Sequence, residues 1–296
     1  MHSILMESGT VPPVPLLRPM RALLGVFGVL TLLAVAALFV RPETTDRFFA
    51  WTVRPPLTAA FLGAAYAAGC TLVVLSLRAR TWAQARASII TILIFTVLTL
   101  WATLAHLDRF HLDVDDTVAR GAAWFWLAVY VVVPLVMVAL LVLQARAPGT
   151  QPPRERPLPR WLAAALAVQG VVMLGAGALL FVRPGLLVGW PWVLTPLTSR
   201  AVGAWLISFG VAAGAALVEN DLTRLRASAI AYLVFAVAAL AALLRYPGDV
   251  RWGPAAWAYL VLLVFVGATA AVGVRRSVDG SPTPSTSRPP EEVRHG

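Results

Sequence analysis

The chain has no lysine, one cysteine and few charges of any kind, and each shortage removes a class of function. All 24 basic residues are arginine and 14 residues are acidic, so 13% of the 296 residues are charged, against about a quarter in a soluble domain. With 59% hydrophobic residues and a mean hydropathy of +0.78, the chain belongs in a bilayer. The missing lysine, beside heavy use of Ala, Leu, Val, Pro and Gly, reflects a GC-rich genome and points to a bacterial plasma membrane. Cys70 is the sole cysteine, so one chain can hold neither a disulfide nor a CxxC redox or zinc site, and packing is its simplest role. No Asp, Glu or His lies in the middle of an apolar run, which argues against a proton relay. A net charge of +10 would suit nucleic acid only if the arginines shared one soluble face; they sit between apolar runs instead. No Ser-His-Asp set, no paired intramembrane carboxylates and no phosphate loop occur, so an enzyme is disfavoured and no cofactor is implied.

What is present is a repeat. A shift of 140 positions aligns Pro56 to Leu104 with Pro196 to Leu244 without a gap, and 16 of those 49 positions are identical. Chance would give about a tenth. The identities include Pro56-Leu57-Thr58 with Pro196-Leu197-Thr198, Gly63-Ala64 with Gly203-Ala204, Arg86-Ala87-Ser88 with Arg226-Ala227-Ser228, and Phe95 with Phe235. At a shift of 142, Phe39-Val40-Arg41-Pro42 returns as Phe181-Val182-Arg183-Pro184. The sequence therefore predicts a tandem duplication.

Eight apolar runs, at 22–40, 57–77, 87–105, 121–143, 161–182, 197–218, 228–244 and 255–274, are each close to the roughly 20 residues needed to cross the hydrocarbon core. They lack the alternation of barrel strands, so the expected fold class is all-α: a polytopic membrane protein with eight transmembrane helices in two parallel four-helix repeats. Pro134 should kink the fourth. The expected order is a loose leader (1–20), a first repeat (21–143), a Pro- and Arg-rich linker (144–160), a second repeat (161–276) and a disordered tail (277–296). With the N-terminus inside, 15 arginines are cytoplasmic and 24 − 15 = 9 are not, which places both termini in the cytoplasm. Four spans per copy make the copies point the same way.

Three groups of residues carry the candidate chemistry. His106, His111 and Asp113 stand in an outer loop that the second copy lacks in part, and offer nitrogen and oxygen donors for a metal. Their spacing matches neither a zinc nor a calcium pattern, so a solvated acidic loop is the plainer reading and no metal is assigned. Trp190, Trp192 and Trp205 accompany Arg41, Arg183 and Arg200 towards the outer side. This is an aromatic belt, or else a groove between the copies that holds an amphipathic or anionic lipid-like molecule through Arg and Trp. Gln169 is the most polar side chain near a midplane, suited to an interhelical hydrogen bond or to a ligand. On the inner side, Arg86 and Arg226 head the third span of each copy. Glu219 or Asp221 could pair with Arg224 or Arg226, and Gly210 and Gly214 form a GxxxG packing motif.

A first span ending in Arg-Pro, then Pro-Leu-Thr, the stretch Arg200, Gly203, Ala204, Trp205, an acidic inner turn and an Arg-led third span resembles the small four-helix membrane proteins of the DoxX-like kind. The first copy departs from the pattern at Ala60 and Ala65. The resemblance implies topology rather than activity. The leading expectation is a non-enzymatic structural or amphipathic-ligand-binding module of the lipid bilayer, without nucleic acid, with a protein partner or a homo-oligomer allowed. The alternatives are a transporter of a hydrophobic or lipid-like solute and a membrane enzyme acting on lipid or quinone.

Overall fold

The computed structural model describes residues 11 to 185 and 189 to 278. Among them the regular elements are helical: α1 (Arg18–Val35, continued by a π-turn over Ala36–Val40), the short α2 (Thr45–Phe48), α3 (Pro56–Leu77), α4 (Trp82–Leu104), α5 (Thr117–Ala145), α6 (Arg160–Val182), α7 (Pro196–Glu219), α8 (Leu222–Arg245) and α9 (Pro254–Val278). All except α2 are long and apolar enough to cross a membrane, so the chain is an all-α, multi-pass integral membrane protein.

Local chemistry sets the helix ends. Asp116 caps α5 by accepting from the amides of Val118 and Ala119, and these two bonds hold its carboxyl below the usual carboxylate range. Thr195 and Thr198 form a reciprocal cap on α7. Between α7 and α8, Asn220 takes the left-handed conformation (φ 44°) and Asp221 caps α8, giving a tight helical hairpin. The N-terminus of α3 has no side-chain cap of its own; the carboxylate of Asp249, from the far end of the chain, accepts from the Leu57 amide at 3.1 Å.

Every span begins before its apolar run, and two do so by five residues or more. α4 starts at Trp82 rather than 87 and α8 at Leu222 rather than 228. Hydropathy stops at Arg86 and Arg226, but an arginine in the first turns can reach a partner or the boundary without ending the helix. α5 runs through Pro134 without a break.

The helices do not segregate into two bundles. α1 packs on α3 and α6 on α7, α4 packs on α5 and α8 on α9, and the two halves interleave because α3 lies against α8 and α7 against α4. In their most apolar windows α3 and α7 are 61% and 67% buried, whereas α1 and α5 are only 22% and 28% buried. The outer helices turn Val26, Val29, Leu135, Val171 and Val261 outward, as lipid contact requires. Glycines permit the closest crossings. A Cβ on Gly63 would lie 2.5 Å from the Phe39 nitrogen, and one on Gly203 2.7 Å from the Gly177 oxygen. In the GxxxG pair, Gly210 abuts Leu174 and the Gly170 carbonyl while Gly214 faces open space, so only the first glycine makes a close approach.

One side of the bundle carries the 144–160 linker and residues 11–17. The leader is not loose over its described part. Val14 donates to the Thr150 carbonyl at 3.1 Å and accepts from the Trp82 amide at 2.9 Å, Leu17 donates to Gln144 at 3.0 Å, and Val14 and Leu16 are buried. Its prolines prevent a helix, yet they leave carbonyls free to pair with neighbouring loops. Residues 1–10 and the predicted tail from 279 onward lie outside the described residues.

The same side holds a buried ionic cluster. Glu219 accepts from Arg86 at both oxygens, the Nη2–Oε2 bond being 2.8 Å, and from Arg224 at 3.0 Å. Arg224 also donates to the Pro152 and Pro153 carbonyls at 2.6 and 3.1 Å. Arg226, the other partner considered from sequence, is exposed. Burial raises the Asp221 pKa. The Glu155 amide, the Thr223 hydroxyl and amide, and Arg224 outweigh that burial and hold the carboxyl below its usual range. A depressed folded pKa contributes stability that is complete above the unfolded value of about 3.9 and is lost as pH falls through the lower folded value. Thermal unfolding in detergent between pH 6 and 3 should therefore show a falling midpoint at the acid end. Asp221→Asn should remove that part of the slope and lower the midpoint at pH 6.

Candidate functional site

The candidate groove residues mostly serve packing. The Arg200 guanidinium donates to His106 Nε2 at 2.6 Å and to the Phe181 carbonyl at 3.3 Å, and lies 5.2 Å from the Trp101 ring centroid. Because His106 Nε2 accepts, its proton sits on Nδ1, which donates to the Ala102 carbonyl at 3.0 Å. Trp205 is buried and stacks on Phe95 with ring centroids 3.9 Å apart. Trp190 and Trp192 pack on Tyr259, at 5.8 and 5.5 Å. Arg41 and Arg183 are exposed where their helices end. Gln169 is buried and accepts from Thr269 at 3.1 Å, the interhelical hydrogen bond among its two readings. Among the described residues no hydrogen bond or ion pair joins any two of these seven.

His111 is also a strut. Its Nδ1 lies 3.1 Å from the Phe49 carbonyl and its Nε2 3.0 Å from the Thr52 hydroxyl. Asp113 is exposed, and among the described residues no three His, Cys, Asp or Glu side chains converge as metal ligands. Cys70 donates weakly to the Gly28 carbonyl at 3.8 Å, a packing role. On the same side of the bundle, Tyr246 donates to Glu43 and Arg245 lies 3.3 Å from that carboxylate. Burial, with the hydrogen bond to Glu43, pushes the Tyr246 hydroxyl up to about 12, and that hydrogen bond holds Glu43 below its usual range.

A cavity larger than the two described below lies elsewhere, inside the first half. About 230 Å³ lies between α1, α3 and α5 under a roof of Phe48, Phe49 and Ala50. Small residues make the space: Ala34 and Ala37 on α1 and Ala122 on α5 stand where larger side chains would fill it. Leu33 and Phe125 line it and are exposed, so it opens between α1 and α5 towards lipid. Its inner wall is aromatic. Trp126 and Tyr130 lie 4.4 Å apart by ring centroid, Phe49 lies 5.0 Å from Trp126, and Trp126 donates to Thr103 at 3.1 Å. The hydroxyls of Tyr66 and Tyr130 meet at 2.5 Å. No charged side chain lines the cavity.

The residues that match these hydroxyls in the second half are apolar. By the same shifts, 142 for α1 and 140 for α3, Thr31 and Tyr66 correspond to Met173 and Leu206; Trp124 to Trp257 sets a shift of 133 for α5, which puts Leu263 opposite Tyr130. All three replacements are buried; a cavity of about 40 Å³ lies in the second half beside Gln169 and Thr269, and none of the three lines it. A third, of about 30 Å³, sits between the halves beside Trp205 and Tyr232. That is room for one or two waters at most.

The cavity escaped the sequence reading because space has no residue of its own. The signal was the pair of tyrosines in the middle of apolar spans, since a buried phenol needs a hydrogen-bond partner. Comparison with known protein families, curated proteins and solved structures finds no match.

Proposed function

We propose that the chain is a non-enzymatic membrane module that holds a lipid-like molecule in the first-half cavity, built from two DoxX-like four-helix units that share one orientation. The observation that carries the binding role is the 230 Å³ space itself, apolar, free of charged lining and bordered by lipid-facing side chains. Ligand sites are concave, mostly apolar and furnished with a few polar groups, and this cavity has that composition. Of the residues first considered for a groove between the units, Arg200 is paired, Arg41 and Arg183 are exposed, and Trp190, Trp192 and Trp205 pack on other rings, so the binding role passes to the cavity.

Duplication is supported by contacts that recur under the sequence shift. Gly63 meets Phe39 as Gly203 meets Phe181. Trp51, between the segments shifted by 142 and 140, packs edge-on against Trp126 at 5.1 Å, as Trp192, 192 − 51 = 141 positions on, does against Tyr259 at 5.5 Å. The arginine distribution supports both termini in the cytoplasm, and the lysine-free, GC-rich composition supports a bacterial plasma membrane. Reporter fusions after residue 150 and after residue 278 should both report the cytoplasm; an external signal from either overturns the orientation.

For the binding role, the protein extracted into nanodiscs without detergent should carry a bound small lipid detectable by mass spectrometry. Ala34→Phe with Ala122→Phe should lose it while the thermal midpoint holds. A molecule retained by that variant would place binding elsewhere.

A further inference from the structure

The hydroxyls of the cavity wall differ in what they have left to give. Thr31 Oγ1 donates to the carbonyls of Phe27 and Gly28, 3.0 and 2.9 Å away in its own helix, so its proton is taken. Tyr66 and Tyr130 are 4% and 3% exposed, and among the described residues their oxygens bond only to each other, at 2.5 Å. Two phenols bring two protons. One proton bridges the pair, and the other has no acceptor among the described residues. A buried donor left unsatisfied is costly and calls for an acceptor. The rest of the surroundings is Phe, Leu, Ala, Val and Trp.

We infer that this spare phenolic proton is the recognition element of the cavity, and that the occupant is an uncharged apolar molecule whose single carbonyl or ether oxygen accepts it. The inference rests on the binding role proposed above and adds the chemistry of the ligand. Depth narrows the class. Tyr66 stands ten residues from Pro56, the start of α3, which is about 15 Å at 1.5 Å per residue and so near the middle of a core roughly 30 Å thick. Ester carbonyls of phospholipids lie at the membrane boundary and do not reach it, so the ligand is one that dissolves within the hydrocarbon. A cavity of about 150 Å³ holds benzene, and 230 Å³ admits a two-ring or short branched body. Both the space and the proton belong to the first half, because Leu206 and Leu263 offer no hydroxyl.

Benzophenone tests this directly, being uncharged, apolar, a ketone and a photolabel. Diphenylmethane has the same shape with CH₂ in place of the carbonyl. In nanodiscs, irradiation should label the peptides that carry Leu33 and Phe125 saturably. Diphenylmethane should compete about fivefold more weakly than diphenyl ether, which has nearly the same shape, carries an acceptor oxygen and does not photolabel, the discrimination of one hydrogen bond. In Tyr66→Phe with Tyr130→Phe the two competitors should become equal, while either single substitution leaves one donor and keeps the preference. Equal competition in the unaltered protein overturns the recognition by the phenol and leaves the cavity standing. That measurement needs no variant, so a misfolded double substitution does not shield the inference. Absence of saturable labelling, or labelling undiminished by Ala34→Phe with Ala122→Phe, overturns the binding role as well.

Discussion

Glu219→Ala is expected to destabilise the protein by about 3–5 kcal/mol, the range for removing one partner of a buried ion pair. Its side chain is 5% exposed, that of Arg224 is 6% exposed and that of Arg86 is 28% exposed. Without the carboxylate, Arg224 keeps the Pro152 and Pro153 carbonyls but has only Asp221 to neutralise it. Most of the loss comes from Arg224, which is too buried to replace the lost carboxylate with water. Arg86 contributes less because it can turn to solvent. Glu219→Gln, which keeps an acceptor but not the charge, should fall between. Arg226→Ala, at an exposed cation, should change stability by less than about 0.5 kcal/mol. Unfolding in mixed micelles of increasing SDS fraction measures all three. A loss below about 1 kcal/mol for Glu219→Ala, within the range of exposed ion pairs, would show the cluster to be solvated.

The second large effect belongs to the glycines at the helix crossings. Gly63→Ala sets a methyl 2.5 Å from a backbone nitrogen of Phe39, and Gly203→Ala sets one 2.7 Å from a backbone oxygen of Gly177. A side chain could rotate away; backbone cannot, so the two helices must part. Overpacking of this kind costs about 1–3 kcal/mol, and leucine at either position should prevent assembly. Gly214→Ala gives the opposite sign: nothing lies within 4 Å of its Cβ position, and alanine in a helix gains up to about 1 kcal/mol over glycine. The same SDS titration reads all of them, and matched losses at 63 and 203 against a gain at 214 are the expected pattern. A neutral Gly63→Ala would mean that α1 and α3 do not touch there.

The sequence made the eight spans legible because bilayer thickness imposes a length and a composition that leave a direct trace. It misplaced the starts of α4 and α8 because hydropathy is local, whereas the partner of Arg86 is Glu219, 219 − 86 = 133 positions away. Glu219 with Arg224 was legible, being five residues apart. Residues 11–17 of the leader were misread for a related reason: their prolines reveal only that no helix forms, and the carbonyl and amides that clamp them come from Thr150 and Trp82. Gln169 and Gly210 were readable because a polar side chain or a glycine inside an apolar run has few uses. The cavity was not, since it depends on three alanines being small at once on two helices distant in the chain.

The interleaving of α3 with α8 and of α7 with α4 has a bearing on the transporter alternative. Alternating access by rocking needs two bodies that move against each other across one smooth seam. Here any such swing would shear two helix pairs simultaneously, part Arg200 from His106 at one membrane surface and pull Arg86 off Glu219 at the other. The halves are keyed at both ends, and molecular traffic is better served by a doorway at the rim of α1 and α5 than by a gate along the central axis.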